Sequence, residues 1–271
     1  MRLLPPNAHM TGGEILLAGE ALHRKSERAM REIRGAKIAM IFQDPMTALN
    51  PVLSVGEQIA EVLRVHRGYS RSDAWQKAIE ALRLVDIPDA AKRAHDYPHH
   101  FSGGMRQRVL IAMALACEPD VLIADEPTTA LDVTIQAQIL ALMQEMQARL
   151  GMALLIITHD LGVVAQICDE VLVMYGGAIV EYGRAEKIFS QPAMPYTHAL
   201  LASLPRIDGN VHELLATIDG QPPRLSELPS GCVFAPRCPQ RFARCAQRPP
   251  LFDVGESHLS RCWLAAASDG Q

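Results

Sequence analysis

No stretch of the 271-residue sequence is long and apolar enough to cross a bilayer. The longest apolar runs, such as VLIAMALAC (Val109 to Cys117), reach about half of the roughly 20 residues that a span requires. The amino terminus, MRLLPPNAHM, also lacks the apolar region of a secretory signal, because a double proline follows only two leucines. The chain is therefore expected in the cytosol. It has no dense Lys/Arg block either. With 26 Lys and Arg against 30 Asp and Glu, the net charge of −4 provides no field to gather nucleic acid or an anionic membrane, so no nucleic-acid partner is expected. Internal repeats and low-complexity tracts are also absent.

What is present is an ordinary globular composition. At 49% hydrophobic residues there is enough apolar surface for a substantial core, and the length suits one large domain with a small appendage. In a reducing compartment the six cysteines are expected as buried residues or metal ligands, not as disulfides.

Two short β-leaning runs, GEILLAG (Gly13 to Gly19) and KIAMIFQ (Lys37 to Gln43), flank a polar helical stretch, SERAMREIRG. From Ser54 to about Cys117 the apolar residues recur at three-to-four spacing, behind a Ser cap in both SVGEQIAEVLRVH and SRSDAWQKAIEALRLV, which predicts helices. Strand VLIAD, a long helix from about Val133 to Leu150, strand ALLIIT, a short helix, and strands EVLVMY and AIVEYG follow. Strands alternating with helices predict an α/β fold with a parallel sheet. Beyond Ser190 the prolines thicken, marking a linker and a loop-rich tail.

Four marks carry chemistry. Gln43 closes a predicted strand just before Asp44-Pro45, where its amide projects from the carboxyl edge of the sheet, although a lone Gln there is usually a turn-flanking residue. FSGGMRQRV (Phe101 to Val109) sets Ser-Gly-Gly ahead of a helix whose amino terminus exposes N–H groups to an anion; alone, it reads as a Ser N-cap. In VLIADEPTTALD (Val121 to Asp132) an apolar strand ends in two carboxylates. Asp125 suits Mg²⁺, and Glu126, pointing differently, can accept a proton from water. The plainer reading is an acidic strand exit, with Asp132 as a helix cap. His159, after ALLIIT, is placed to reach a phosphate oxygen or orient a water, or else simply enters the next helix.

Taken in order, IFQDP, FSGGMRQRV, VLIADEPTTALD and IITHD closely resemble the nucleotide-binding subunits of ATP-binding cassette (ABC) transporters over roughly residues 10 to 190. The resemblance implies that Gln43 is the Q-loop glutamine and a second Mg²⁺ ligand. It makes Ser102, Gly103, Gly104 and Met105 the signature motif, Asp125 and Glu126 the Walker B pair, Ala130 to Asp132 the D-loop, and His159 the H-loop histidine. Met105 stands where many members have Gln, a variation shared by the peptide-importer branch. IFQDPMTALNP, YPHHFSGGMRQRV and MPYTHALLASLP look like the ATPase subunits of oligopeptide, dipeptide and nickel importers. A similar YPH stretch in that branch turns His95, His99 and His100 away from a metal reading.

The phosphate-cradling G-x-x-x-x-G-K-[ST] occurs nowhere in the 271 residues, and TGGE, YGGA and FSGGM lack its Lys and spacing. RLLPP resembles the end of the helix that follows that loop. The cradle, and with it the family's adenine-stacking aromatic, is expected upstream of Met1, either lost or cut off by a misplaced start. In the tail, Cys232, Cys238, Cys245 and Cys262 are separated by five, six and sixteen residues, in a segment with little apolar material for a core of its own. Four cytosolic thiols favour a metal or iron–sulfur site. GCVFAPRCP resembles the importer carboxy-terminal extension, which in some members holds a [4Fe–4S] cluster. Cys117 and Cys168 sit in apolar helical contexts and are expected in the core.

The resemblance implies a P-loop NTPase-type ABC ATPase fold, truncated at its amino terminus. Residues 1–53 would be partial ATPase core, 54–119 a helical subdomain, 120–190 the second half of the core and 191–271 the extension. The implied function is ATP hydrolysis, with Mg²⁺, driving import of peptides, nickel or related solutes. The implied partners are a homologous ATPase subunit in a head-to-tail dimer, two integral membrane permease subunits and, indirectly, a solute-binding protein, at the cytoplasmic face of the inner membrane. Two alternatives stand beside it: a non-hydrolytic remnant or regulatory subunit, because the cradle motif is absent, and a soluble ABC ATPase of DNA repair or translation. The latter ranks low, since the helical region leaves no room for a long coiled-coil arm.

Overall fold

The computed structural model describes residues 1–129, 131–204 and 217–266. The chain divides into two compact units, Met1–His159 and Asp160–Gln271, so the boundary falls ahead of the proline-rich stretch near Ser190.

The first unit opens with a hairpin, β1 (Leu16–Leu17) and β2 (Glu20–Ala21), so only the end of the expected first strand is extended. Ser26 caps α1 (Glu27–Ile33) by accepting the Ala29 N–H, and Met30 and Ile33 pack with Leu22 against Ile38 of β3 (Ile38–Ile41). The short α2 (Pro45–Ala48) leads into α3 (Val55–Arg67) and α4 (Arg71–Leu84), capped by Ser54 and Ser70 as their sequences predict. Buried Gln58 on α3 bonds to both the N–H and the carbonyl of Asn50, pinning the segment that comes from Gln43. After α5 (Ala90–Arg93) comes α6 (Gly103–Leu115), with Ser102 at its N-cap.

Then follow β4 (Val121–Asp125), α7 (Val133–Leu150) and β5 (Ala153–Ile157). Strands β3, β4 and β5 form a parallel sheet in that order, with Ile38 opposite Val121 and Asp125 opposite Ile157. Each connection runs through helices, as parallel pairing requires. On β5 the alternation leaves Leu155 and Ile157 exposed at the edge of this sheet.

The second unit holds α8 (Leu161–Ile167), β6 (Glu170–Tyr175), β7 (Ala178–Arg184), α9 (Ala185–Ser190), α10 (Pro195–Ala202), β8 (Phe252–Asp253) and β9 (Leu259–Ser260). Here the parallel expectation fails. Only Gly176 and Gly177 join β6 to β7, both at positive φ (55° and 74°), a two-residue turn that folds the strands antiparallel; a parallel crossover needs a dozen residues or more. The tail then adds β9 to β7 and β8 to β9. It does not lack a core: Phe234, Val233, Cys232, Cys245 and Cys262 pack with Val173, Tyr175, Val180, Ile188 and Met194. Inside this unit Glu181 is fully buried, its Oε1 accepting the Ala193 N–H at 2.6 Å and lying 2.7 Å from His258 Nε2.

Candidate active site

The carboxyl ends of β3, β4 and β5 lie side by side because their register is fixed by parallel pairing, and each is followed by one residue of the sequence pattern. Gln43 leaves β3, Glu126 leaves β4 and His159 leaves β5. Their side chains meet. Gln43 Nε2 donates to Glu126 Oε2 at 2.8 Å, and His159 Nδ1 lies 3.0 Å from Glu126 Oε1. A third group, which the motif reading did not single out, joins them: Thr129 Oγ1 donates to Glu126 Oε2 at 2.9 Å. The Thr129 hydroxyl foremost, then His159 and Gln43, hold the Glu126 carboxyl below the usual carboxylate range.

The backbone places this carboxylate. Glu126 sits at φ 46°, in the left-handed region that disfavours a side chain, and its N–H donates to the Ile157 carbonyl at 2.8 Å. The turn turns the side chain off the line of β4, so Asp125, the last strand residue, and Glu126 point differently. A strained non-glycine residue held by neighbouring strands is typical of functional sites. His159 is largely open to solvent, at 77% exposure, against 22% for Glu126.

The signature segment is positioned separately. Ser102 Oγ accepts the Met105 N–H at 3.4 Å, and Ser102 and Gly103 are exposed at the amino end of α6. Gly104 is buried, and a Cβ there would lie 2.6 Å from Ile135 Cγ2, so the glycine is what lets α6 approach α7. Asp132 caps α7 through Oδ1, which accepts the Ile135 N–H at 3.0 Å. Ala130, of the expected D-loop, lies outside the described residues.

The four-cysteine cluster is not assembled as a metal site. Among the described residues no group of three or more His, Cys, Asp or Glu stands in a metal-holding arrangement, and all six cysteines are free. Instead Cys232, Cys245 and Cys262 join the apolar core with Cys238 packed against it, and burial pushes the thiols of Cys232, Cys238 and Cys262 up, toward the protonated form. The four thiols nonetheless lie within electrostatic reach of one another, Cys262 sensing Cys232, Cys238 and Cys245, so the tail gathers them into the apolar core without supporting a bound iron–sulfur cluster. His95 packs on Trp75 (4.7 Å between ring centroids) while His99 and His100 form an exposed ring pair at 4.2 Å.

The model of the ABC transporter family matches residues 1–129, and that of the oligopeptide/dipeptide transporter carboxy-terminal region matches residues 180–245. The dipeptide transport ATP-binding protein DppD of Bacillus subtilis is 55% identical, over 97% of this chain and 79% of its own. This chain belongs to the ABC transporter ATP-binding subunits of the oligopeptide/dipeptide type. The oligopeptide transport ATP-binding protein OppD of Salmonella typhimurium is similar to the subunit at 51% identity, over 97% of this chain and 78% of its own. Among solved structures, the ABC cassette MJ0796, a dimer bound to ADP and phosphate, matches with a TM-score of 0.58 at 28% identity, covering 65% of this chain and 74% of that one. CbiO1 from Clostridium perfringens, part of an ABC transporter complex, matches with a TM-score of 0.58 at 31% identity, covering 67% and 69%. The ABC subunit therefore has the P-loop NTPase fold of these cassettes. No helix among its described residues is long and apolar enough to cross a membrane.

Proposed function

We propose that this subunit is the ATP-hydrolysing motor of a peptide importer and that Glu126 is its general base. The observation that carries the reading is the convergence of Gln43, Thr129 and His159 on one carboxylate at the carboxyl edge of a parallel sheet. A carboxylate has about four lone-pair sites, and three are engaged, which leaves one to accept a proton from an attacking water. His159, exposed beside it, orients that water or meets the γ-phosphate.

The residues fit Mg²⁺. Asp125 supplies a hard carboxylate oxygen, and because Gln43 uses its amide nitrogen on Glu126, its remaining Oε1 is the oxygen donor such an ion takes. Mg²⁺, when bound, neutralises phosphate charge. Ser102 and Gly103 are exposed at the amino end of α6, with Gly104 and Met105 following in its first turn, where N–H groups suit the nucleotide of a homologous subunit in a head-to-tail dimer, as does Asp132 at the cap of α7. Two integral membrane permease subunits, served by a solute-binding protein, complete the assembly at the cytoplasmic face of the inner membrane. The relatives carry dipeptide and oligopeptide names, which favours peptides over nickel as cargo.

The test is Glu126→Gln in the subunit within its native assembly. ATP turnover falls by on the order of 10²–10⁴-fold while nucleotide binding persists, because the shape stays and the base is lost. Turnover close to wild type refutes the role.

A further inference from the structure

We infer that Thr129 is a positioning residue for the hydrolytic carboxylate, holding Glu126 Oε2 through its hydroxyl so that Oε1 faces the reacting water. The inference rests on the reading of Glu126 as the base.

The three groups that touch Glu126 differ in where they come from. Gln43 is 83 residues away on the far side of β3, and His159 is 33 residues away beyond β5. Each is a separate side chain on a separate strand exit, and in the proposed function each has another duty, toward the metal and the phosphate. Thr129 is three residues away, in the same turn. The Thr129 N–H donates to the Glu126 carbonyl at 3.2 Å, while its hydroxyl donates to the same residue's carboxylate at 2.9 Å. Pro127, whose ring restricts φ, and buried Thr128 stiffen the turn between them. The Thr129 bond therefore travels with Glu126, and it survives when Gln43 and His159 turn to the nucleotide. A glutamate has three rotatable side-chain bonds, so a donor built into its own turn removes orientations that the reaction cannot use.

The experiment compares Thr129→Val, Thr129→Ser and Glu126→Gln in the subunit within its native assembly, reading kcat, KM for ATP and thermal stability. Val keeps the branched shape and removes the hydroxyl. It lowers kcat about tenfold, the worth of one hydrogen bond to a charged acceptor, with KM nearly unchanged. Ser, which keeps the hydroxyl, restores kcat. Thr129→Ala provides a second hydroxyl-free variant if Val disturbs the turn. Wild-type kcat in the hydroxyl-free variants, alongside an inactive Glu126→Gln, overturns the inference and leaves the base assignment standing. Equal losses in Val and Ser overturn it too, since the hydroxyl is then not what matters. Normal turnover in Glu126→Gln removes the base assignment itself, and this inference with it.

Discussion

Glu181 is the buried group whose removal tests the account of the second unit most directly. It is fully buried on β7, Oε1 serves both the Ala193 N–H and His258 Nε2, and Ser260 faces it across the β7–β9 pair. Replacing it with Leu strands the buried His258 ring nitrogen and the half-buried Ala193 N–H, each costing up to about 1–3 kcal/mol. It also removes Oε2, itself buried without a partner, which returns part of that cost. The net loss is about 3 kcal/mol, at the lower end of what breaking one side of a buried pair costs. Glu181→Gln should behave differently. Its carbonyl oxygen still accepts from Ala193 and can pair with His258 Nε2, and its new N–H₂ can donate toward the Ser260 hydroxyl opposite it on β9, which is buried without a partner among the described residues, so the change is about 1 kcal/mol or less. Hydrogen exchange reads this locally, at the Arg261 amide, which donates to the Val180 carbonyl beside Glu181. Protection there falls roughly 100-fold in the Leu variant, because each 1.4 kcal/mol is a factor of ten, and stays within about tenfold in the Gln variant. Equal loss of protection in the two variants refutes the hydrogen-bond account. Unchanged protection in Leu shows that the tail does not depend on this pair.

Gly104→Ala forces a Cβ against Ile135 and costs about 1–3 kcal/mol as overpacking; Gly103→Ala, whose Cβ would meet only Leu131 Cδ2 at an ordinary contact distance of 3.9 Å, is nearly silent in thermal unfolding. Equal shifts in the two variants would show that α6 and α7 do not approach closely. Burial raises the thiols of Cys117, Cys232 and Cys262, so they lose thiolate at a given pH. At pH 8 a disulfide reagent labels them more slowly than a free thiol of ordinary pKa near 8.5, and urea unfolding restores the rate. Native labelling at the peptide rate contradicts their place in the core.

The local elements were legible because their signals are local. Ser26, Ser54, Ser70 and Ser102 each sit ahead of an apolar period of three to four and each caps the helix that follows. VLIAD and ALLII are apolar runs ending in polar residues, and they are strands β4 and β5. The order of motifs from Gln43 to His159 was sufficient to identify the family, since each short pattern is held by its own backbone requirement.

The rest lies in contacts between residues far apart in the chain. The sequence marks Gln43, Glu126 and His159 as separate signals, but only the parallel register of β3, β4 and β5 brings two of them onto the carboxylate of the third. Thr129 carries no sequence signal of its own: its spacing of three is a turn's, and whether its hydroxyl or its methyl faces Glu126 depends on its side-chain rotamer within that turn. The cysteine tail shows the same limit. Spacing suggested four thiols gathered around a metal; they do gather, but within the apolar core against β6 and β7, where three of them are buried. Short-range propensity and periodicity thus determined which segments become helices and strands and which family the chain belongs to. Strand register and close packing decided which side chains meet, because a distance across the fold is set by everything that packs between its ends.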